Sequence, residues 1–80
     1  MKEYIATFHT HLAALMTSRT LTSSGVRAQM MPVPRKLSSS CGTCVQYHAD
    51  DPHLAAMDED VETVYEKISN EEYLLLLDAQ

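Results

Sequence analysis

Two cysteines, Cys41 and Cys44, are the residues of this chain best suited to chemistry, and they stand in a C-x-x-C spacing. This spacing suits a dithiol–disulfide pair, half of a zinc site or a coincidence. A single thiolate could instead attack sulfur, bind a metal or carry a transferable atom. The sequence therefore predicts sulfur chemistry, with Cys41 as the candidate nucleophile or carrier.

The run that leads into Cys41 has the composition of a shaped loop over residues 34–42. Two prolines, Pro32 and Pro34, stiffen its approach because proline fixes φ and lacks an N–H donor. Cations and hydrogen-bond donors stabilise a thiolate relative to a thiol. The candidate binding residues that could supply them are Arg35, Lys36, Ser39, Ser40, Gly42 and Thr43.

The segments around this loop predict an α/β (α+β) domain. The predicted elements are a strand over 3–9, a helix over 10–24, a strand over 26–33, a strand over 43–48, a short helix capped by Asp50 or Asp51, and a strand over 61–68. Thr10 is a suitable N-cap for the first helix, and Gly25 suits its C′ position. The order β-α-β-β-α-β predicts a ferredoxin-like sandwich, with a different small α/β order as the alternative.

Two histidines, His9 and His11, join Cys41 and Cys44 as candidate catalytic residues. In a split βαβ unit the first two strands are parallel, so the end of the first strand and the loop after the second emerge at one sheet edge. A histidine there could take the thiol proton or, when charged, favour the thiolate. The alternative is that His9 only ends a strand and His11 only faces solvent at a helix start.

A zinc site built from the C-x-x-C pair with His48 and His53 does not fit the spacing. A strand over 43–48 rises roughly 3.3 Å per residue, which separates His48 from Cys41 by more than about 10 Å. A set formed by both cysteines with His9 and His11 is geometrically better but is not favoured. We predict no metal and no cofactor.

The last segment, residues 69–80, opens with Ser69-Asn-Glu-Glu72, which matches the S-x-x-E capping box. We predict that it continues as a short C-terminal helix, with an added strand as the less favoured alternative. Its apolar run from Tyr73 to Leu77 could cover an open face of the sheet or form a homodimer contact.

Composition limits the classes of function. Eighty residues with 45% hydrophobic content suit one small domain. A net charge of -5 and a pI near 5.1 argue against nucleic acid as a partner. No apolar window approaches the roughly 20 residues that span a bilayer. We therefore expect a cytoplasmic protein without a membrane partner, whose cysteines are not a structural disulfide.

The run PVPRKLSSSCG over residues 32–42, with the segment 4–9 and Gly25, resembles small bacterial selenium/sulfur carrier-like domains over roughly residues 3–68. The resemblance implies a related sandwich for 1–68, followed by the tail 69–80. It also implies a carrier, more than a turnover enzyme, that accepts a persulfide sulfur on Cys41 and exchanges it with donor and acceptor proteins. The family position of Cys44 is less constant, which makes that cysteine an optional partner. The alternatives are a C-x-x-C redox protein and a non-catalytic interaction module.

Overall fold

In the computed structural model, which describes residues 1–80, one α-helix packs on a five-stranded antiparallel sheet. The strands are β1 (Lys2–Phe8), β2 (Arg27–Pro32), β3 (Thr43–Ala49), β4 (Val61–Lys67) and β5 (Tyr73–Asp78), and the helix is α1 (His11–Ser23). Their order across the sheet is β2-β3-β1-β4-β5. Both β1 and β2 pair antiparallel with β3, so they run parallel to each other, as the sequence predicts.

Alternating side chains along β1 and β3 build the core beneath α1. Tyr4, Ala6 and Phe8 face the helix, as the alternation in β1 predicts. The other members of this core are Ala13, Ala14, Leu21, Val45, Tyr47, Ala49, Val61 and Val64. The tyrosine rings of Tyr4 and Tyr47 stack with their centroids 5.2 Å apart. We call this side of the sheet the helix face.

Both ends of α1 carry the predicted caps. The Thr10 side chain accepts a hydrogen bond from the Ala13 N–H at 3.1 Å. At the other end Gly25 has φ +85°, and the Val26 N–H donates to the Leu21 carbonyl at 2.9 Å. This arrangement is a Schellman motif, which needs a residue tolerant of left-handed backbone geometry at the glycine position.

The predicted second helix is wrong, because only a single 3₁₀ turn forms at Leu54–Ala56. Asp51 accepts a hydrogen bond from the His53 N–H at 2.6 Å, and His53 has the left-handed φ of 50°. That local turn interrupts helical geometry immediately after Pro52. The α+β class is therefore confirmed, whereas the ferredoxin-like βαββαβ composition is not complete.

The predicted C-terminal helix is also wrong, because residues 73–78 form β5 along the free edge of β4. The capping-box residues make a hairpin turn instead. Within it the Ile68 N–H donates to the Glu72 carbonyl at 2.9 Å, and the Glu71 N–H donates to the Ser69 hydroxyl at 3.4 Å. Leu76 and Leu77 then pack against the core, and this burial favours the strand over the predicted helix.

Candidate functional site: the Cys41 loop

The loop formed by residues 33–42 crosses the side of the sheet opposite α1. Its ends are joined where the Val33 N–H donates to the Gly42 carbonyl at 3.2 Å. Between them Lys36 Nζ lies 2.8 Å from Glu71 Oε2. Glu71 belongs to the β4–β5 turn, at the end of the sheet where β1 begins. Ser40 then donates two hydrogen bonds to the Glu62 carboxylate at the opposite end of the sheet. Because the segment runs from one end of the sheet to the other, we call it the crossing loop.

The crossing loop explains why several residues away from the helix face are buried. Ile5, Thr7, Cys44 and Thr63 are each at most 3% exposed, although none belongs to the helix-face core. The apolar loop residues Val33, Pro34 and Leu37 are half-buried. The loop thus provides a second, smaller layer that shields this part of the sheet from water.

Cys41 lies at the end of the crossing loop in a tight turn. Its side chain is half-buried, and its thiol donates to the Thr43 carbonyl at 3.4 Å. The Ser39 hydroxyl accepts a hydrogen bond from the Gly42 N–H at 3.0 Å, and Gly42 has φ +74°. The glycine is required there because other residues rarely adopt that backbone geometry. The turn holds Cys41 at the edge of the sheet with part of its surface open.

Cys44 occupies a different environment, although it is only three positions further along the chain. It is 0% exposed within β3, and its thiol points to the Pro32 carbonyl at 3.8 Å. Burial, followed by the neighbouring Cys41, raises the pKa of the Cys44 thiol to about 11. Both cysteines are free thiols. The two sulfur atoms of the C-x-x-C spacing are thus not equivalent.

Glu62 holds the crossing loop in place, and sequence reasoning missed it. The carboxylate accepts two hydrogen bonds from Ser40, from its N–H at 3.0 Å and its hydroxyl at 2.7 Å. The Glu62 side chain is only 5% exposed. It stands at a β-bulge where the register shifts between Thr7 and Phe8, and a bulge can redirect a side chain toward a site. The sequence signal was weak, because Glu62 and Glu66 both alternate in step with the buried Val64 and only Glu62 is buried.

His9 and His11 both lie at the end of the sheet where the crossing loop ends. His9 Nδ1 lies 3.3 Å from Glu62 Oε2, and His11 Nδ1 lies 3.4 Å from the Thr43 hydroxyl. The Cys41 thiol and the His11 ring are therefore both bonded to Thr43, on different oxygens. Neither histidine makes a direct hydrogen bond to the thiol.

The predicted binding residues do not form a single cluster around Cys41. The Ser39 hydroxyl accepts a hydrogen bond from the Gly42 N–H, and the Ser40 hydroxyl donates one to Glu62, so both side chains hold the loop in shape. Lys36 pairs with Glu71 and does not stand beside Cys41. Arg35 is exposed and makes no ion pair or side-chain hydrogen bond.

His48 lies at the other end of the sheet, as the strand geometry predicts. It pairs in register with Glu3 and Arg27, and its Nε2 is 3.9 Å from Glu3 Oε1. His53 precedes the 3₁₀ turn. No three histidine, cysteine or acidic side chains converge as metal ligands would. The single helix is too short to cross a membrane.

Comparisons with known proteins agree with this description at the level of a family. The family described as "Putative Se/S carrier protein-like" matches residues 3–73, which extends the expected range into β5. The chain is also similar to the uncharacterized protein YtiA of Escherichia coli strain K12, with 31% identity over 45 residues. That alignment covers 56% of this chain and 53% of YtiA, so the chain spans about half the length of this curated relative. No solved structure matches.

Proposed function

The chain belongs to the Se/S carrier protein-like family, and we propose that its Cys41 accepts a sulfur or selenium atom and passes it to another protein. The observation that carries this proposal is the difference between the two thiols. Cys41 is partly open on an anchored loop, whereas Cys44 is fully buried with a raised pKa. A carrier needs one reachable thiol, and Cys41 meets that requirement.

The transfer step follows thiol–disulfide exchange and needs no external oxidant. The Cys41 thiolate attacks the terminal sulfur of a donor persulfide, and a new sulfur–sulfur bond forms at Cys41. The donor's own sulfur–sulfur bond breaks, and its electron pair leaves on the donor thiolate. That thiolate takes up the proton lost from Cys41, so the donor ends as a thiol and Cys41 as a persulfide. Delivery to an acceptor thiol repeats these steps in reverse.

The surrounding residues support different parts of this step. Arg35 supplies an unpaired cation next to Lys36, on the part of the crossing loop away from Cys41, where it would attract an anionic group of a partner protein. His11 is the candidate acceptor for the thiol proton, because both groups are bonded to Thr43. Ser39, Ser40 and Gly42 fix the turn that presents Cys41. A reducing cytoplasm would keep the thiol free between transfers.

Burial of Cys44 weighs against a dithiol redox protein. A resolving thiol must ionise and reach the first sulfur, whereas Cys44 has a raised pKa and is enclosed by the sheet and the crossing loop. We therefore assign Cys44 a packing role and leave the transfer to Cys41.

Intact-mass spectrometry tests the proposal after incubation with a cysteine desulfurase and cysteine. We expect the wild type and Cys44→Ala to gain one sulfur atom and Cys41→Ser to gain none. Loss of two hydrogens would indicate a disulfide and the redox function instead. An unchanged mass in every variant would contradict both functions.

A further inference from the structure

The two outer strands of the sheet differ in how open their edges are to another strand. An edge strand has a row of unpaired backbone groups, and proteins protect such rows with proline, lysine or charge. β2 ends at Pro32, is followed by Pro34, and begins with Arg27. β5 contains no proline, glycine or basic residue. β5 therefore lacks the proline and basic residues that protect β2, and its pairing with β4 is interrupted only by a β-bulge at Leu76, toward its C-terminal end.

The side chains of β5 are also unusually apolar for an edge. Leu74 is 51% exposed and Leu75 is 46% exposed, and they pair in register with Glu66 and Tyr65 of β4. Consecutive residues of a strand point to opposite sides of the sheet. A strand that paired with β5 would therefore meet a leucine on each face.

The ends of β5 carry acidic side chains. Glu72 precedes the strand and Asp78 ends it, and neither forms an ion pair. A second copy of the same edge in antiparallel alignment would bring these like charges together, which is unfavourable. Charge complementarity instead favours a partner strand with lysine or arginine at its ends.

One end of β5 is connected to the Cys41 loop through Glu62. The Ala79 N–H, directly after the strand, donates to the Glu62 carbonyl at 2.8 Å. The carboxylate of the same Glu62 holds Ser40, the neighbour of Cys41. A strand added along β5 would thus lie two strand spacings, roughly 10 Å, from β4, the strand whose Glu62 holds the loop.

We propose that the β5 edge docks a sulfur donor or acceptor protein by pairing with an apolar strand that is flanked by basic residues. This inference rests on the proposed carrier function for the identity of the partner. The pairing uses backbone hydrogen bonds for affinity and the two leucines for contact area, as in other cases of strand addition.

Fluorescence anisotropy with a labelled synthetic peptide tests the docking edge directly. The probe alternates valine and threonine over five residues and carries two lysines at each end. We expect it to bind the full chain, and Leu75→Lys to weaken binding at least about tenfold, which corresponds to roughly 1.4 kcal/mol. The matched control is Leu54→Lys, since Leu54 is 40% exposed in the 3₁₀ turn away from β5 and receives the same charge. This control should bind like the wild type.

Changes to the peptide test the mode of binding without altering the protein. Methylation of alternate backbone nitrogens should abolish binding, and glutamates in place of the lysines should weaken it. The proposal would be overturned if the altered peptides bound as tightly as the original one, or if the original one did not bind. It would also be overturned if sedimentation showed the chain as a dimer that Leu75→Lys dissociates, because a second copy would then cover the edge.

The result can be separated from the carrier function. Cys41→Ser should bind the peptide as the wild type does, because the edge does not use the thiol. If the peptide binds but Cys41 never gains sulfur, the carrier function fails and the docking edge stands. If Cys41 gains sulfur from an inorganic polysulfide but the peptide does not bind, only the docking edge fails.

Discussion

The crossing loop and the strand that follows it each carry one cysteine, and the backbone gives the two thiols opposite properties. In the loop, Gly42 and Ser39 form a turn that leaves part of Cys41 open. In β3, strand pairing on both sides and the loop above enclose Cys44 completely. We therefore expect the reactivity of each cysteine to depend on its backbone environment more than on the C-x-x-C spacing itself.

The largest expected difference is in alkylation rate. The pKa of Cys44, raised from 9.0 to about 11, lowers its thiolate fraction at neutral pH by about 100-fold relative to an ordinary thiol. Burial restricts access further. We therefore expect iodoacetamide to modify Cys41 at least about 100-fold faster than Cys44 near neutral pH. Mass spectrometry of Cys41→Ser and Cys44→Ala would measure the two rates separately, and equal rates would remove the distinction between the thiols.

A second difference should appear in alkaline stability. Because the folded-state pKa of Cys44 is raised, the folded protein keeps this thiol protonated where the unfolded chain loses the proton. The stabilisation that comes from the protonated Cys44 thiol is fully present below about pH 9 and is lost as the pH rises to about 11. The loss is of order 2 kcal/mol. Urea unfolding at several pH values should show a steeper alkaline decline in the wild type than in Cys44→Ala.

Burial also raises the pKa values of Tyr4 and Tyr47, so both proteins should lose some stability at high pH. The difference between them isolates the thiol. Parallel pH profiles for the wild type and Cys44→Ala would show that Cys44 ionises as easily in the folded as in the unfolded protein.

The tether of the crossing loop gives the third test, and the chain contains its own control. Glu62→Gln removes the charged acceptor of two Ser40 hydrogen bonds in a buried place, and should lower the free energy of unfolding by roughly 1–2 kcal/mol. Glu3→Gln changes a carboxylate that is 24% exposed. It lies 3.6 Å from Lys67 Nζ and 3.9 Å from His48 Nε2 and accepts a hydrogen bond from Gln46, which a glutamine oxygen can keep, so the change should cost less than about 1 kcal/mol.

Chemical denaturation of both variants would compare these costs. Limited proteolysis should in addition cut Glu62→Gln, but not Glu3→Gln, within residues 33–42. Equal stability and equal protection of the loop would show that Glu62 does not hold it.

The smallest effect is expected from the histidines. If His11 takes the proton of Cys41, His11→Gln should shift the pH dependence of Cys41 alkylation and slow it by a few-fold, on the order of the lower range of general-base effects. His48→Gln should leave the profile unchanged, because His48 lies at the opposite end of the sheet. Identical profiles for both variants would mean that the loop alone activates Cys41.

Sequence patterns predicted the parts of this fold that depend on local chemistry. Alternation fixed the faces of β1, and Thr10 and Gly25 marked the limits of α1 because caps and left-handed turns need particular residue types. The crossover rule correctly brought His9 and His11 to the edge where the loop ends.

The errors arose where distant contacts decide the conformation. The leucines of residues 74–77 have neither helical nor strand periodicity, and the exposed edge of β4 selects the strand. Ser69 and Glu72 satisfy local hydrogen bonds equally well in a hairpin turn. Glu62 reaches Ser40 across 22 positions of sequence, a contact that no local pattern encodes.

The measurement that tests the central claim most directly follows sulfur through Cys41. The wild type, Cys41→Ser and Cys44→Ala would be loaded by a cysteine desulfurase with cysteine that contains heavy sulfur, and then mixed with an excess of an acceptor thiol. Peptide-level mass spectrometry should find the heavy atom on Cys41 before the acceptor is added and on the acceptor afterwards, in the wild type and Cys44→Ala alike. Heavy sulfur on Cys44, or label that stays on Cys41 in the presence of the acceptor, would contradict a carrier that works through Cys41.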